Sequence, residues 1–177
     1  VNSGGVVKEN CRVISIEGDD KAFTVLYEDE GGEDRAAAPV LINATGPWID
    51  EVNKQYGLAH NYRISKVSGI HIVIDGALVP DCMFLQTSNK RIFFMIPWEG
   101  EKTIIGTTER VEKGPCDEVK VQEEDVNYLL DCASHYLQKP IQASDICGTF
   151  LGIRPLVMKK NAQEDTTSMS REYKIDV

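Results

Sequence analysis

The sequence has 177 residues, a formal net charge of −9 and a hydrophobic content of 42%. This composition is typical of a globular protein with one sizeable core or with parts of two domains. The acidic balance argues against a nucleic-acid surface or a broad basic membrane patch, and no apolar run approaches the roughly 20 residues that a membrane-spanning helix needs. The chain starts with Val1 rather than Met, and we expect it to be an internal part of a longer protein.

The cysteines and histidines show no metal-ligand or disulfide pattern. The cysteines are Cys11, Cys82, Cys116, Cys132 and Cys147. They are odd in number and widely spaced, without a CxxC pair, which predicts free thiols in a reducing compartment. The histidines also lack metal-ligand spacing, so no metal site is predicted.

A strand hairpin is predicted near the start of the chain. Apolar and polar residues alternate over 11–18 and again over 22–28, with polar residues between the two runs. Such alternation is typical of paired strands. The acidic stretch 28–34 contains a Gly-Gly pair and is predicted to be a solvated turn.

A buried strand and a short helix are predicted next. Residues 39–43 are almost uniformly apolar, which predicts a strand covered on both faces. Pro47 suits the first turn of a helix, and Gly57 suits its end. Between the predicted strand and the helix, the small residues of Ala44-Thr45-Gly46 would let an anionic ligand approach the backbone. A plain tight turn accounts for the same residues.

The pattern changes after residue 61 to short strands separated by turn-forming residues. Strands are predicted at 62–66, 70–74, 82–86, 91–97 and 102–108, and their spacing indicates an antiparallel meander.

One long helix is predicted over 121–138, where apolar residues recur at helical spacing. Strands return at 146–152 and 171–176, around a polar loop at 159–170. The order of elements predicts an α+β fold, in which residues 1–57 belong to an incomplete first domain. Residues 58–177 then form a second domain, an antiparallel sheet with one main helix.

His71 is a candidate proton acceptor. It alternates with Ile70 and Ile72 in the run SGIHIVID, so its side chain faces away from theirs. A neutral imidazole can accept a proton near pH 7. A structural histidine with satisfied hydrogen bonds fits the same pattern.

Arg154 is the most unusual charged residue, because it lies in the apolar run FLGIRPL. An unpaired guanidinium is costly to bury, so this side chain must be paired, exposed or directed into a cavity. A salt bridge to an acidic neighbour is the simpler alternative. Arg171 follows a polar loop and by itself is interpreted as a surface residue.

Six motifs follow one another along the chain: INATGPWIDEV, SGIHIVI, RIFFMIPWEGEKTIIGTTE, VNYLLDCASHYL, GTFLGIRPL and SREYKIDV. Their order and spacing resemble those of the FAD-dependent glycerol-3-phosphate dehydrogenases. The resemblance implies that residues 1–57 are part of a Rossmann-like FAD domain and that the second domain binds substrate. It also implies oxidation of sn-glycerol 3-phosphate to dihydroxyacetone phosphate, with electrons passing from FAD to quinone, or to oxygen in oxidase relatives. We therefore expect a cytoplasmic location for this protein, with peripheral association on the cytoplasmic face of the inner membrane as an alternative.

The resemblance implies a cofactor role for four residues. Val13 would meet the adenine of FAD through its backbone, and Ala44, Thr45 and Gly46 would lie along the pyrophosphate and ribose.

The resemblance implies a substrate role for three more residues. His71 would stand near the flavin and the substrate hydroxyls as a catalytic residue. Arg154 would be the second catalytic residue and would reach the substrate beside the flavin ring, and Arg171 would help to hold the phosphate.

The chain departs from the family pattern at several places. The run SKVSGIH, from Ser65 to His71, has two residues more than the usual Ser-Lys-Gly-x-His, which puts the placement of Lys66 in doubt. Glu109 stands where Asp is usual. The family's GxGxxG motif and its Lys-containing flavin segment are absent, so we expect this chain alone neither to retain FAD tightly nor to turn over. An amino-acid oxidase of the same superfamily and an inert binding module are the rival interpretations.

Overall fold

The structure is a computed structural model, and it describes residues 4–19, 21–58, 60–159 and 171–175. The chain divides into two units. The first consists of Val1–Thr45 and Ile49–Ala59, and the second of Gly46–Trp48 and His60–Val177.

The first unit contains a small antiparallel sheet. Its strands, in spatial order, are β1 (Arg12–Gly18), β2 (Phe23–Asp29) and β3 (Gly32–Ala38). The predicted hairpin is therefore confirmed. The predicted solvated turn at 28–34 is wrong in extent, because the turn is limited to 30–31 and β3 follows at once. β3 is exposed along its whole length, so it carries no alternation that the sequence could show, and it exists because β2 pairs with it.

The prediction of a buried strand at 39–43 is wrong in this structure. No described strand pairs with this segment, and the side chains of Val40 and Ile42 are 67% and 81% exposed. The physical reason is that β1, β2 and β3 pair only with one another, so no strand is available beside these residues.

The predicted helix is confirmed. A 3₁₀ turn at Gly46–Trp48 leads into α1 (Ile49–Tyr56). Gly57 ends the helix in the left-handed region at φ +66°, where glycine is favoured, and the Leu58 amide donates to the Asn53 carbonyl at 2.9 Å.

The second unit is built on a six-stranded sheet. Its strands are β4 (Tyr62–Asp75), β5 (Met83–Gln86), β6 (Ile92–Trp98), β7 (Lys102–Gly106), β8 (Arg110–Glu112) and β9 (Ile146–Lys159). The spatial order is β5-β6-β7-β4-β8, and β9 pairs with β4. Every pairing is antiparallel, so the predicted α+β class with an antiparallel sheet is confirmed.

Strand lengths differ from the prediction at three places. The strands predicted at 62–66 and 70–74 are one strand, and the one predicted at 146–152 continues to Lys159. These two long strands pair from Tyr62↔Lys159 to Ile74↔Ile146, and Gly69 lies within β4 opposite Gly152. The strand predicted at 171–176 is wrong, since residues 171–175 are not in a strand; most of the predicted loop at 159–170 lies outside the described residues.

One helix packs on one face of this sheet. α2 spans Glu123–Ser134, so the predicted helix at 121–138 is too long. It ends in tighter turns, in which the amides of Tyr136 and Leu137 donate to carbonyls three residues earlier. The shared core consists of Ile70, Ile72, Ile74, Phe93, Met95, Ile105, Leu129, Leu130 and Ala133. In the described part of the chain, no helix has the length and apolarity needed to cross a membrane.

Candidate functional site

His71 lies on the sheet face opposite α2. Its neighbours Ile70 and Ile72 are fully buried in the core that α2 covers, and strand alternation directs His71 to the other face. The register places His71 between Gly106 on β7 and Phe150 on β9. The imidazole stacks on the Phe150 ring at 4.7 Å between centroids, with 11° between the planes.

Gly106 makes room for the imidazole. A Cβ placed on Gly106 would lie 2.1 Å from His71 Cδ2 and 2.8 Å from His71 Nε2. The ring therefore leans directly over the backbone of β7, and any side chain at this position would displace it.

Arg154 lies on the same face, four residues from Phe150 along β9, where it pairs with Val67. A Cβ on Gly69 would lie 2.6 Å from Arg154 Nη1, so the guanidinium passes over the backbone of that glycine. Arg154 Nη2 donates to Thr107 Oγ1 at 3.1 Å. The simpler alternative, a salt bridge to an acidic neighbour, is not found among the described residues. A hydroxyl fixes the direction of the guanidinium without neutralising its charge.

Three buried polar atoms on this face have no hydrogen-bond partner in the described part of the chain: His71 Nδ1, Arg154 Nη1 and, further along β4, Ser65 Oγ. Burial lowers the pKa of His71, and the positive charge of Arg154 lowers it further. At neutral pH the imidazole is therefore uncharged and able to accept a proton.

Arg171 contacts the short segment that links β7 to β8. Its Nη2 pairs with Glu109 Oε1 at 3.0 Å, while its side chain is 73% exposed. Arg154 contacts Thr107 in the same segment, so both arginines that the sequence singled out meet residues 107–109.

The sequence did not single out Gly106, Thr107 or Phe150 as functional residues. Their importance depends on cross-strand register, because Gly106 and Phe150 lie opposite His71 and Thr107 holds Arg154. The available signal was the GTT run that ends a predicted strand, but pairing partners are not visible in a single sequence.

The segment before α1 is organised by Asn43, which sequence reasoning also missed. Asn43 Oδ1 accepts from the amide and the hydroxyl of Thr45, at 3.2 and 2.7 Å. Asn43 Nδ2 donates to Asn53 Oδ1 at 2.8 Å. Ala44 and Thr45 are exposed, so this side-chain turn presents their backbone to solvent.

The other predicted cofactor residues are placed as follows. Val13 lies in β1, next to an irregularity in the pairing with β2, and its carbonyl accepts from the Tyr56 hydroxyl at 3.0 Å. Gly46 has φ +59°, and a Cβ there would meet nothing within 4 Å. The backbone conformation therefore already favours glycine at Gly46, and the space beside it is open.

A separate depression of about 540 Å³ lies elsewhere in the second unit. It is lined by Arg110, Glu112, Gly114, Pro115, Glu118, Val119, Lys120, Gln122, Glu124 and Asp125. Arg110 pairs there with Glu112 at 2.9 Å and with Asp125. None of the site residues predicted from the sequence lines it.

Comparison with known proteins decides the family. Residues 1–169 match the FAD dependent oxidoreductase family. The chain belongs to this family.

Several known proteins are similar to this FAD-dependent oxidoreductase chain. The chain is 33% identical to the aerobic glycerol-3-phosphate dehydrogenase of Escherichia coli, over 100% of the chain and 36% of that protein. It is 26% identical to the D-erythritol 1-phosphate dehydrogenase of Brucella abortus, over 98% of the chain and 35% of that protein. The crystal structure of glycerol-3-phosphate dehydrogenase from Bacillus halodurans, complexed with FAD, aligns with a TM-score of 0.72 and 27% identity, over 84% of this chain and 31% of that one. The resemblance that the motifs predicted is thereby confirmed, and the chain spans about a third of the length of these relatives.

In this oxidoreductase chain, Gly46 offers a test that separates the turn from the ligand contact. We expect Gly46→Ala in the full-length protein to lower the free energy of unfolding by about 1 kcal/mol, because an L residue is strained at positive φ. Gly46→Asn should recover part of that loss, since Asn tolerates this conformation. Thermal or urea unfolding would measure the change, and Gly114→Ala is the control, because a Cβ there meets nothing within 4 Å.

The FAD dissociation constants of the same variants give the second readout. If ligand contact needs the bare backbone at Gly46, both variants bind FAD more weakly, even though Asn recovers part of the lost stability. Equal FAD affinity in Gly46→Asn and the parent protein would leave only the turn as the reason for glycine.

Proposed function

We propose that the protein containing this chain oxidises sn-glycerol 3-phosphate to dihydroxyacetone phosphate, with FAD as the hydride acceptor. The observation that carries this proposal is that two buried polar atoms on the sheet face opposite α2, His71 Nδ1 and Arg154 Nη1, lack hydrogen-bond partners among the described residues. A proton acceptor beside a fixed cation suits the oxidation of an alcohol that carries an anionic group.

The residues on this face fit a flat cofactor and a small polar substrate. Gly69 and Gly106 leave the backbone bare under Arg154 and His71, so both side chains can lie close against the sheet. Gly152, opposite Gly69 on β9, has nothing within 4 Å of the position of a Cβ. When bound, FAD supplies the two-electron redox chemistry that no amino-acid side chain provides.

His71 would accept the proton of the substrate hydroxyl. Its lowered pKa keeps the imidazole neutral at the pH of the cell, and its removal of the hydroxyl proton makes loss of the hydride from the same carbon easier. Arg154 would hold a substrate oxygen with the guanidinium edge that is not bonded to Thr107.

Arg171 would bind the phosphate. Its guanidinium is exposed and contacts a single carboxylate, that of Glu109, in the described part of the chain. A phosphate dianion offers more acceptor oxygens and more charge than one carboxylate, so it can compete for this side chain.

Val13, Ala44, Thr45 and Gly46 would contact FAD. This assignment rests on the resemblance of INATGPWIDEV and of the Val13 segment to the family pattern, and the open space beside Gly46 supports it. We also propose quinone as the electron acceptor and a cytoplasmic location with peripheral membrane association, again from the family resemblance.

The proposal is tested with the full-length protein loaded with FAD. We expect anaerobic addition of glycerol 3-phosphate to bleach the flavin absorbance, whereas glycerol, which lacks the phosphate, should not do so at the same concentration. D-Erythritol 1-phosphate tests the substrate of the second relative, and glycine tests the amino-acid oxidase alternative. Bleaching by glycine alone would overturn the proposal. Quinone reduction measured against hydrogen peroxide formation identifies the acceptor.

A further inference from the structure

We propose that Phe150 and Gly106 are positioning residues that hold the imidazole of His71 in the orientation needed for proton transfer. This inference rests on the proposed function of His71. Neither residue needs to touch the substrate for this role, since both act through the ring that they hold.

The imidazole is held from two neighbouring strands. Gly106 on β7 and Phe150 on β9 both lie opposite His71 in register. The bare backbone of Gly106 accepts the ring edge, since Cδ2 occupies the space in which a side chain would begin. Phe150 covers one face of the ring in a nearly parallel stack, within the usual range for aromatic pairs.

Core packing alone does not explain Phe150. Its side chain is 47% exposed, whereas the aromatic residue of the core on β6, Phe93, is 1% exposed. The contact that the structure describes for the Phe150 ring is the one with His71. An apolar ring that stays half in water while stacking on a candidate proton acceptor therefore fits a positioning role.

The same contact keeps water from the imidazole and supports its uncharged form. The charged side chains on the two neighbouring strands are Lys102, Arg154 and Lys159. The register places both lysines at the ends of β4, so Arg154 is the charge that acts on His71, together with burial. Removing the Phe150 ring would expose the imidazole without changing that charge.

The first test is Phe150→Leu in the full-length, FAD-loaded protein. We expect kcat for glycerol 3-phosphate to fall about 10-fold, because the imidazole is no longer held in one orientation, while KM changes little. The acid limb of the pH profile should move to higher pH as the imidazole becomes hydrated. Phe150→Tyr keeps the ring and should behave like the parent protein.

The control for Phe150→Leu is Phe84→Leu. Phe84 is 65% exposed on strand β5 and makes an edge contact with Phe94. It lies in the same cross-strand row as His71, but β6 and β7 separate the two residues, so the same change removes a ring from this sheet without removing the one that stacks on the imidazole. An unchanged kcat and acid limb in Phe150→Leu, or an equal change in Phe84→Leu, would overturn the positioning role.

The second test is Gly106→Ala, which pushes the imidazole instead of releasing it. A methyl group cannot lie 2.1 Å from Cδ2, so the ring must move by about 1 Å or more, and kcat should fall about 100-fold. Gly148→Ala is the control on β9, because its Cβ would lie 3.8 Å from Val73, an ordinary contact. If Gly106→Ala does not fold, Phe150→Leu carries the test.

A readout without turnover separates this inference from the proposed function. Histidine resonances of the full-length protein, assigned with His71→Asn, report the pKa of His71 directly. We expect that pKa to rise in Phe150→Leu and to stay unchanged in Phe84→Leu. Failure of glycerol 3-phosphate to bleach the flavin in the parent protein would reject the proposed function alone, whereas an unchanged His71 pKa in Phe150→Leu would reject the positioning role.

Discussion

His71→Asn is expected to lower kcat for glycerol 3-phosphate oxidation by about 10²–10⁴-fold, the usual contribution of a general base. Asn is polar, cannot take up a proton and is small enough to clear the backbone of Gly106, although it loses the ring that stacks on Phe150. Steady-state kinetics with the FAD-loaded, full-length protein would measure the change. FAD affinity should remain, because the lost group acts on the substrate hydroxyl.

The lowered pKa of His71 predicts how the activity depends on pH. Burial and the charge of Arg154 lower the pKa of His71, so the neutral, active form persists below the ordinary pKa of about 6.5. Activity should therefore be kept as the pH falls to about 6.5 and be lost only as it falls through the lower pKa of the folded protein. His71→Asn should lose this acid limb. His135→Asn, at the exposed end of α2, should keep both the rate and the limb; an acid limb that survives in His71→Asn would assign the proton to another group.

Local patterns were enough to predict the elements that alternate or that carry turn residues. The hairpin of β1 and β2 and the helix after Pro47 have such patterns, and each is present. The orientation of His71 could also be predicted, because strand alternation is a local property.

The features that depend on pairing could not be predicted. β3 carries no apolar face, so only its pairing with β2 reveals it. β4 and β9 were each predicted too short, because Gly69 and Pro155 suggest interruptions that the partner strand overcomes in the structure. In each case the strand is stabilised by its contacts with a neighbouring strand, and a single sequence does not show which segments pair.

Residues 39–43 show the converse case, in which a local pattern is not realised. The apolar run contains Val40 and Ile42, which are exposed in this structure. A strand needs a neighbour for its backbone groups, and the described strands of the first unit offer none. An apolar run therefore predicts a segment that would be stabilised by burial, but burial occurs only where the fold of the chain provides a neighbouring strand.

In the candidate site, too, the local pattern predicted some features, while others depend on strand pairing. The residue types were visible: one histidine on a strand and one arginine in an apolar run. Their surroundings were not, since Thr107 bonds to Arg154 from a segment distant in sequence. Gly69 and Gly106 are significant only because Arg154 and His71 pass over them. Residue types in the sequence therefore predicted a candidate proton acceptor and a candidate cation, whereas the contacts that hold them depend on the register of the sheet.

Arg154→Met is expected to lower kcat/KM for glycerol 3-phosphate by about 10–100-fold, since a hydrogen bond to a charged group contributes roughly 1.5–3 kcal/mol. Met fills a similar volume, so packing over Gly69 is retained while the charge and both donor edges are lost. Arg154→Lys keeps the charge but not the fork that bonds Thr107, and we expect it to lose about 10-fold.

The His71 pKa distinguishes a cation that acts in the site from one that only stabilises the fold. Because the charge of Arg154 lowers that pKa, Arg154→Met should raise it, while Arg154→Lys should leave it lower than Arg154→Met does. Arg91→Met, at an exposed position before β6, is the matched control and should change neither kcat/KM nor the pKa. An unchanged kcat/KM in Arg154→Met would exclude the guanidinium from the site, because a partly buried cation that contacts the substrate cannot be removed without weakening transition-state binding.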